Sequence, residues 1–261
     1  MKPLYLAALI LFAGVINISA ADIIDNYTVS PPILEVDLDR EISGYFNVEN
    51  NSDQPHRINI EVSYFKPEEI FAGVHTQPDV AGTEDIAGLV VVSPRVINLP
   101  AGQKRKVRFT VKPDGVRRPP GEYRANLVFK PVPDKKPEPG VNSEGVSMRI
   151  NWILEIRLPV YVTIGKRGPA GITANGVLTQ ENGKHFVRLD VGNETVWRYP
   201  VEFNVYDKSG KIGSSRKVVL RQTKRDVSIE LSREPEGALL VKWEPYMDNV
   251  AGAPGQITIQ Q

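Results

Sequence analysis

The sequence predicts an all-β chain folded as two β-sandwich domains. Three observations lead there. Short runs of alternating apolar and polar residues recur from Tyr27 to Ile259, the period-2 mark of half-buried strands. Pro and Gly number 21 each and punctuate those runs as turn signals. No stretch carries the apolar period of an amphipathic helix. A chain of 261 residues suits one or two domains. Its 41% apolar share is enough to fill two cores.

The elements follow in order. Residues 1–21 read as a cleaved secretory signal peptide: a basic start at Lys2, an apolar run from Leu4 to Ile16, and small residues at Ser19-Ala20-Ala21. That run is shorter than the about 20 residues a membrane span needs, and no second one follows. Strands are expected at Ile33–Leu38, Ile42–Val48 and Arg57–Tyr64, the second ending in the polar turn Asn50-Asn51-Ser52-Asp53. Lys66–Ala87 reads as a long polar loop or short edge elements. Leu89–Val92, Arg95–Leu99, Lys106–Val111 and Tyr123–Phe129 complete a first series, with Ala125, Leu127 and Phe129 on one face of the last and Arg124, Asn126 and Lys130 on the other. Pro131–Gly145 is rich in Pro, Gly and charge, and has little to bury. Seven or so short strands over about 140 residues fit an immunoglobulin-like sandwich.

Gly165–Pro169 reads as a hinge, so the domains are expected at 22–164 and 165–261. The second series comprises Gly171–Thr179, Lys184–Val191, Val201–Tyr206, Lys217–Arg221, Val227–Leu231, Ala238–Trp243 and Gln256–Ile259. Glu181-Asn182-Gly183 signals a hairpin between its first two strands. No internal sequence repeat links the two halves.

One stretch exceeds what a small sandwich needs. Every even position from Val146 to Val162 is apolar, a single expected strand spanning 146–162. Fully extended it would run roughly 55 Å, whereas typical strands have about 5–6 residues. It is either a bent core strand or a strand with part of its apolar row at an edge, offered to something else. Pro159 cannot donate a ladder hydrogen bond and marks an edge, a bulge or the end of pairing.

Several function classes are excluded or disfavoured. The 32 basic and 31 acidic residues leave a net charge of +1, unlike the basic excess of a nucleic-acid binder. The absence of cysteine excludes disulfides, thiolate nucleophiles and cysteine metal sites. His56, His75 and His185 lie far apart, without metal spacing, and read as surface residues. No nucleophile elbow, dinucleotide fingerprint or Walker loop is present; Ser209–Ser215 has the wrong spacing for a phosphate loop. Glu68-Glu69 and Glu84-Asp85 sit in a polar loop and read as solvated. The alternating Lys104, Lys106 and Arg108 read as charges that keep a strand face solvated and discourage edge pairing. Asn26, Asn50 and Asn193 begin glycosylation sequons whose meaning depends on the host. No cofactor or metal is expected.

An ordered set of segments resembles the periplasmic chaperones of the chaperone–usher pilus pathway: Val29–Pro32; Phe46–Asn50; Ser93–Gly102 with Val107-Arg108; Pro120–Arg124 leading to Leu127–Phe129; and Val146–Val162 where that family keeps its donor strand. The likeness covers most of 29–165; beyond it, only the presence of a second small β domain matches. The resemblance implies a boomerang-shaped pair of immunoglobulin-like domains and no catalysis. It implies binding of pilus or fimbrial subunits by strand lending, and delivery to an outer-membrane usher. By position Met148, Ile150, Trp152 and Leu154 would form the inserted row, and Arg157 would anchor the subunit's terminal carboxylate. Arg157 could equally be a solvated charge or pair with Glu155. The family's second cleft cation has no counterpart, since Leu34 aligns there. The expected location is the periplasm; when free, the apolar edge is expected either to self-associate weakly through Val146–Leu154 or to be covered by the folded-back Pro131–Gly145 loop. The alternatives are an exported two-domain adhesin or structural protein, and a carbohydrate-active enzyme, for which no paired acids in an aromatic groove are found.

Overall fold

The computed structural model describes residues 26–112, 118–132, 141–142, 145–146, 154–169, 171–246 and 254–260. The first domain opens with β1 (Tyr27–Ser30) and β2 (Leu34–Asp37), then β3 (Ser43–Asn50) and β4 (His56–Ser63). A one-turn helix α1 (Pro67–Ile70) and β5 (Val74–Thr76) follow, then β6 (Val90–Ser93), β7 (Val96–Leu99), β8 (Lys104–Val111) and β9 (Gly121–Pro131). A two-residue pair, β10 (Val141–Asn142) and β11 (Gly145–Val146), precedes β12 (Ile156–Ile164). The second domain holds β13 (Ile172–Glu181), β14 (Lys184–Asn193), β15 (Tyr199–Asp207) and β16 (Gly210–Val219). It ends with β17 (Thr223–Glu230), β18 (Leu239–Pro245) and β19 (Gly255–Ile259).

Each domain is a sandwich. In the first, sheet β1-β3-β8-β6 faces sheet β2-β12-β9-β4-β7. Their inward residues interdigitate around Phe46 and Phe129, whose rings meet edge to face at 5.5 Å. In the second, β13-β14-β17-β5 faces β16-β15-β18-β19 around Tyr199, Phe203, Leu239 and Trp243. The predicted hairpin is present, with Asn182 and Gly183 both at positive φ, as its two-residue turn requires.

The expected strand Ile33–Leu38 is β2, and a separate strand, β1, precedes it. β1 pairs with β3 in one sheet, and after Pro31-Pro32 the chain crosses so that β2 runs parallel to β12 in the other. Pro cannot donate to a ladder, so the crossing falls where pairing must lapse anyway. The stretch read as a long polar loop or short edge elements does hold a short edge strand, though in the sheet of the other domain. β5, carried on that excursion from the first domain, pairs antiparallel with β17 of the second, Val74 opposite Arg225. Gly73 allows the entry at φ +68, with its backbone carbonyl accepting from the Asp226 N–H. Three residues are too few for a period to declare itself.

Other surface expectations are corrected. His56 is buried, its Nε2 2.9 Å from Ser52 Oγ. Glu84 is buried in an ion pair with Arg124 at 2.8 Å. Arg124 and Asn126 do lie on the face of β9 away from Leu127. They are nonetheless buried, because the excursion and the second domain cover that face. Two of the three sequon asparagines are structural. Asn50 donates from Nδ2 to the carbonyls of Gln54, Leu99 and Pro100. Its Oδ1 accepts from Ser52 N and Oγ. Asn193 repeats the arrangement in the second domain, with Trp197, Val219 and Leu220 as acceptors and Thr195 as donor. The Ser or Thr two residues on closes an Asx turn at each.

Replacing Asn50 or Asn193 with Ala orphans buried carbonyls. Each change is expected to cost about 1–3 kcal/mol in urea unfolding. Asn26→Ala, at an exposed position, should stay within about 0.5 kcal/mol.

Candidate interdomain cleft and the long strand

Two buried carboxylates hold the domains together. Glu122, at the start of β9, is 2% exposed and accepts from Arg198 Nε and from Arg167 Nη2, each at 3.0 Å. Arg198 comes from the second domain and Arg167 from the connection. Arg198 also pairs with Glu35 on β2 and lies 3.7 Å from the centre of the Tyr161 ring. Burial pushes the Glu122 carboxyl up, and the two guanidiniums oppose that. The same carboxylate neighbours raise Arg198 against its own burial. Glu84 pairs with Arg124 and lies 3.8 Å from Arg221 Nε. Arg221 Nη1 donates to the Glu122 carbonyl at 2.7 Å. Tyr64 donates to Glu84 Oε1, and burial with that carboxylate's charge raises its phenol.

Beside this network lies a cavity of about 290 Å³ between the domains. Arg124, Arg157, Arg198 and Arg225 all reach it, with Phe71 and Tyr161 among its apolar walls and no carboxylate in its lining. Three of the four cations have acidic partners elsewhere: Glu84 for Arg124, Glu122 and Glu35 for Arg198, and Glu155 for Arg157. Arg225 has none among the described residues. Its Nη1 donates to the Val218 carbonyl at 2.7 Å, and its buried Nε has no hydrogen-bond partner. Burial without a compensating charge pulls its pKa down. No sequence signal marked Arg225, because the strand that brings it to the cleft pairs across domains.

The sequence-predicted site residues fall as follows. Arg157 is on β12 and lines the cavity; its Nε donates to Glu155 Oε1 at 2.8 Å, and its guanidinium lies 4.1 Å from the centre of the Phe65 ring. Leu34, the position aligned with a cleft cation, is instead 3% exposed in the first core; Ile33 lines the cavity and Glu35 pairs with Arg198. Met148, Ile150 and Trp152 lie outside the described residues, so the expected strand 146–162 is seen in its second half only. β12 begins at Ile156, and Gly145-Val146 pairs with Val141-Asn142. Within β12 the alternation holds. Leu158, Val160 and Val162 are in the core, while Leu154 before it is 47% exposed. β9 pairs along the whole of β12, but β2 pairs only with Val160–Thr163. Ile156–Pro159 therefore have an open side among the described residues, and Pro159 sits where β2 pairing stops. Tyr27 OH donates to the carbonyls of Phe129 and Leu154, fixing the strand's approach.

Among the described residues no group of His, Asp or Glu side chains could hold a metal ion, and no helix is long and apolar enough to cross a membrane. Replacing Glu122 with Ala leaves two guanidiniums facing a buried void, with an expected loss of about 3–5 kcal/mol. Thermal unfolding would measure this loss, and limited proteolysis should find the 165–169 connection cut faster.

No family model matches the chain, and no curated protein matches it in sequence. Solved structures do resemble it. The E. coli chaperone DraB is 14% identical with a TM-score of 0.48, covering 91% of this chain and 99% of that one. A chain from the complex of Salmonella enterica SafA pilin with the SafB chaperone is 13% identical with a TM-score of 0.49, covering 89% and 96%. A chain from the CsuC–CsuE chaperone–tip subunit complex of Acinetobacter baumannii Csu pili is 13% identical with a TM-score of 0.46, covering 90% and 98%.

Proposed function

We propose that this protein is a periplasmic chaperone of the chaperone–usher type, a divergent member that binds pilus or fimbrial subunits without catalysis. In this reading it stabilises them by lending the strand Val146–Leu154 and passes them to an outer-membrane usher. The observation that carries the reading is an apolar row that outlasts its own sandwich. Leu158, Val160 and Val162 fill the core, yet the same row is exposed by Leu154. Among the described residues the strand's side toward β2 is open over Ile156–Pro159. An incomplete subunit sandwich has the complementary need: an unpaired edge and an apolar groove. The lent strand supplies backbone hydrogen bonds, and Met148, Ile150, Trp152 and Leu154 fill the groove. Arg157 and Arg225, at the cavity beside that open side, receive the subunit's terminal carboxylate. A charge-assisted pair there fixes the register, since a one-residue slip would turn the apolar row to the wrong face.

Co-expression with a candidate subunit and co-purification from the periplasm tests the reading. Ile150→Asp should abolish subunit recovery while leaving the melting temperature of the free protein unchanged, and Asn151→Asp should matter much less. Unfolding of the Ile150→Asp protein would assign the row to its own core. Stable self-association with no subunit recovered would favour an exported structural or adhesive role instead.

The anchor has its own check. Arg157→Ala and Arg225→Ala should each cut subunit recovery sharply. Amidating the C-terminus of a subunit peptide should weaken binding to the native protein and leave binding to the double variant unchanged. Equal weakening of both would remove these arginines from the carboxylate site.

A further inference from the structure

The outward face of β3 and β8 carries a charge pattern that the cleft does not use. β8 places Lys104, Lys106 and Arg108 on that face at alternate positions, all exposed. Arg105, at the same end of the strand, is exposed as well. Across the ladder stand Glu49, Asn47 and Tyr45 in register. Lys104 Nζ is 3.7 Å from Glu49 Oε2. Lys106 Nζ lies 4.3 Å from the centre of the Tyr45 ring, and Arg108 Nη2 donates to Ser43 Oγ at 2.9 Å. Four cations thus share one carboxylate among the described residues.

Edge protection explains only part of this pattern. Alternating lysines and arginines guard strands that would otherwise pair with a stranger. β8 is paired with β3 from Lys104 to Thr110 but with β6 only over Arg108–Val111, so Arg108 stands where both sides are paired and needs no such guard. Nor is the excess a general property of a chain with 32 basic and 31 acidic residues. Several exposed cations elsewhere on the surface pair with acids: Lys130 with Glu61, Lys184 with Glu230, Arg233 with Asp207. Here Lys106 and Arg108 are held by a ring and a hydroxyl, contacts that orient a cation without neutralising it.

We infer that this face docks an acidic protein segment in extended conformation, with Asp or Glu at alternate positions. Alternate residues on a strand stand about 6.6 Å apart, so carboxylates on one face of an extended partner meet Lys104, Lys106 and Arg108 in register. Tyr45, 52% exposed, offers a ring for the partner's chain to lie against. The surroundings suit a protein rather than a lipid surface, because Thr28, Ser30, Ser43 and Asn47 around the cations are polar and Tyr45 is a single ring among them, without the apolar face that lipid insertion requires. The face belongs to the sheet opposite the one that lines the interdomain cavity, so both can be filled together.

The test uses the full mature chain and two labelled peptides of equal charge and composition, one alternating Glu with Thr, the other with all Glu in one block. Fluorescence anisotropy at low salt should show the alternating peptide bound more tightly, with binding lost at high salt. The variant Lys104→Gln/Lys106→Gln/Arg108→Gln should bind it about tenfold more weakly, the sum of three exposed ion pairs. Its melting temperature should match the native protein, since all three side chains are exposed. Equal affinity for both peptides, or an unaffected triple variant, would overturn the proposal. Co-sedimentation with phosphatidylglycerol vesicles when neither peptide binds would overturn it in favour of a lipid surface.

Discussion

The burial of Glu122 is the constraint on which the arrangement of the two sandwiches depends. A carboxylate at 2% exposure is tolerable only with cations in contact, and its two partners come from different parts of the chain. Arg198 reaches it from the second domain and Arg167 from the connection. Glu35 on β2 then shares Arg198 from the other side, and Arg221 fixes the Glu122 carbonyl. Glu122 and Arg198 lie at the centre of this network, and neither can move without leaving the other's buried charge short of a partner. The connection after β12 is thus held by charge at Arg167, and by Asp39 accepting from the Gly165 N–H at 3.0 Å. Replacing such a network with apolar residues is often neutral for stability, so its value here is geometric. It fixes where the second domain's arginines stand relative to β12.

That placement bears on the open part of β12. A strand flanked on both sides has no reason to extend its apolar row, and an exposed flat edge invites association. Among the described residues β12 is flanked on both sides over Val160–Thr163 and on one side over Ile156–Pro159. The cavity with four arginines sits beside the half-flanked part. A free edge beside an electropositive pocket discriminates among partners better than either alone. A strand that pairs with the edge but brings no negative end into the pocket leaves Arg225 buried and uncompensated.

How much of this was legible in the sequence differed by the type of signal. Period 2 located most long strands within a few residues, because each buries one face and the alternation records which; β16, which begins at Gly210, was expected only from Lys217. β3, β8, β14 and β17 alternate buried and exposed in register with their sequences. The signal failed where burial came from another part of the chain. Arg124 and Asn126 have the sequence of a solvated face and are buried by an excursion that carries no pattern of its own. β5 is three residues long, too short for a period. His56 and Glu84 looked solvated because their neighbours in sequence are polar, whereas their neighbours in space close over them. Leu34 was aligned to a cleft position, yet its parity on β2 turns it into the core and turns Ile33 and Glu35 out. The two halves show no sequence repeat, but Asn50-Asn51-Ser52 and Asn193-Glu194-Thr195 build the same corner. A shared sandwich needs its buried turn closed in the same way, and three residues suffice for that.

The excursion from Lys66 to Ala87 ties the two halves of the cleft to each other. On the first domain its Glu84 holds Arg124, and Phe65 accepts from the same guanidinium at 2.7 Å. On the second domain β5 pairs through Val74 with the backbone of Arg225, and Phe71 lies 5.9 Å from that guanidinium. One segment therefore sets the position of a cation on each wall. Val74, at 2% exposure, anchors it, and a displacement of β5 would move Arg225 and uncover Arg124 together. The spacing of charge across the cavity is governed by this strand and by Glu122, and the apolar core of either sandwich has little influence on it.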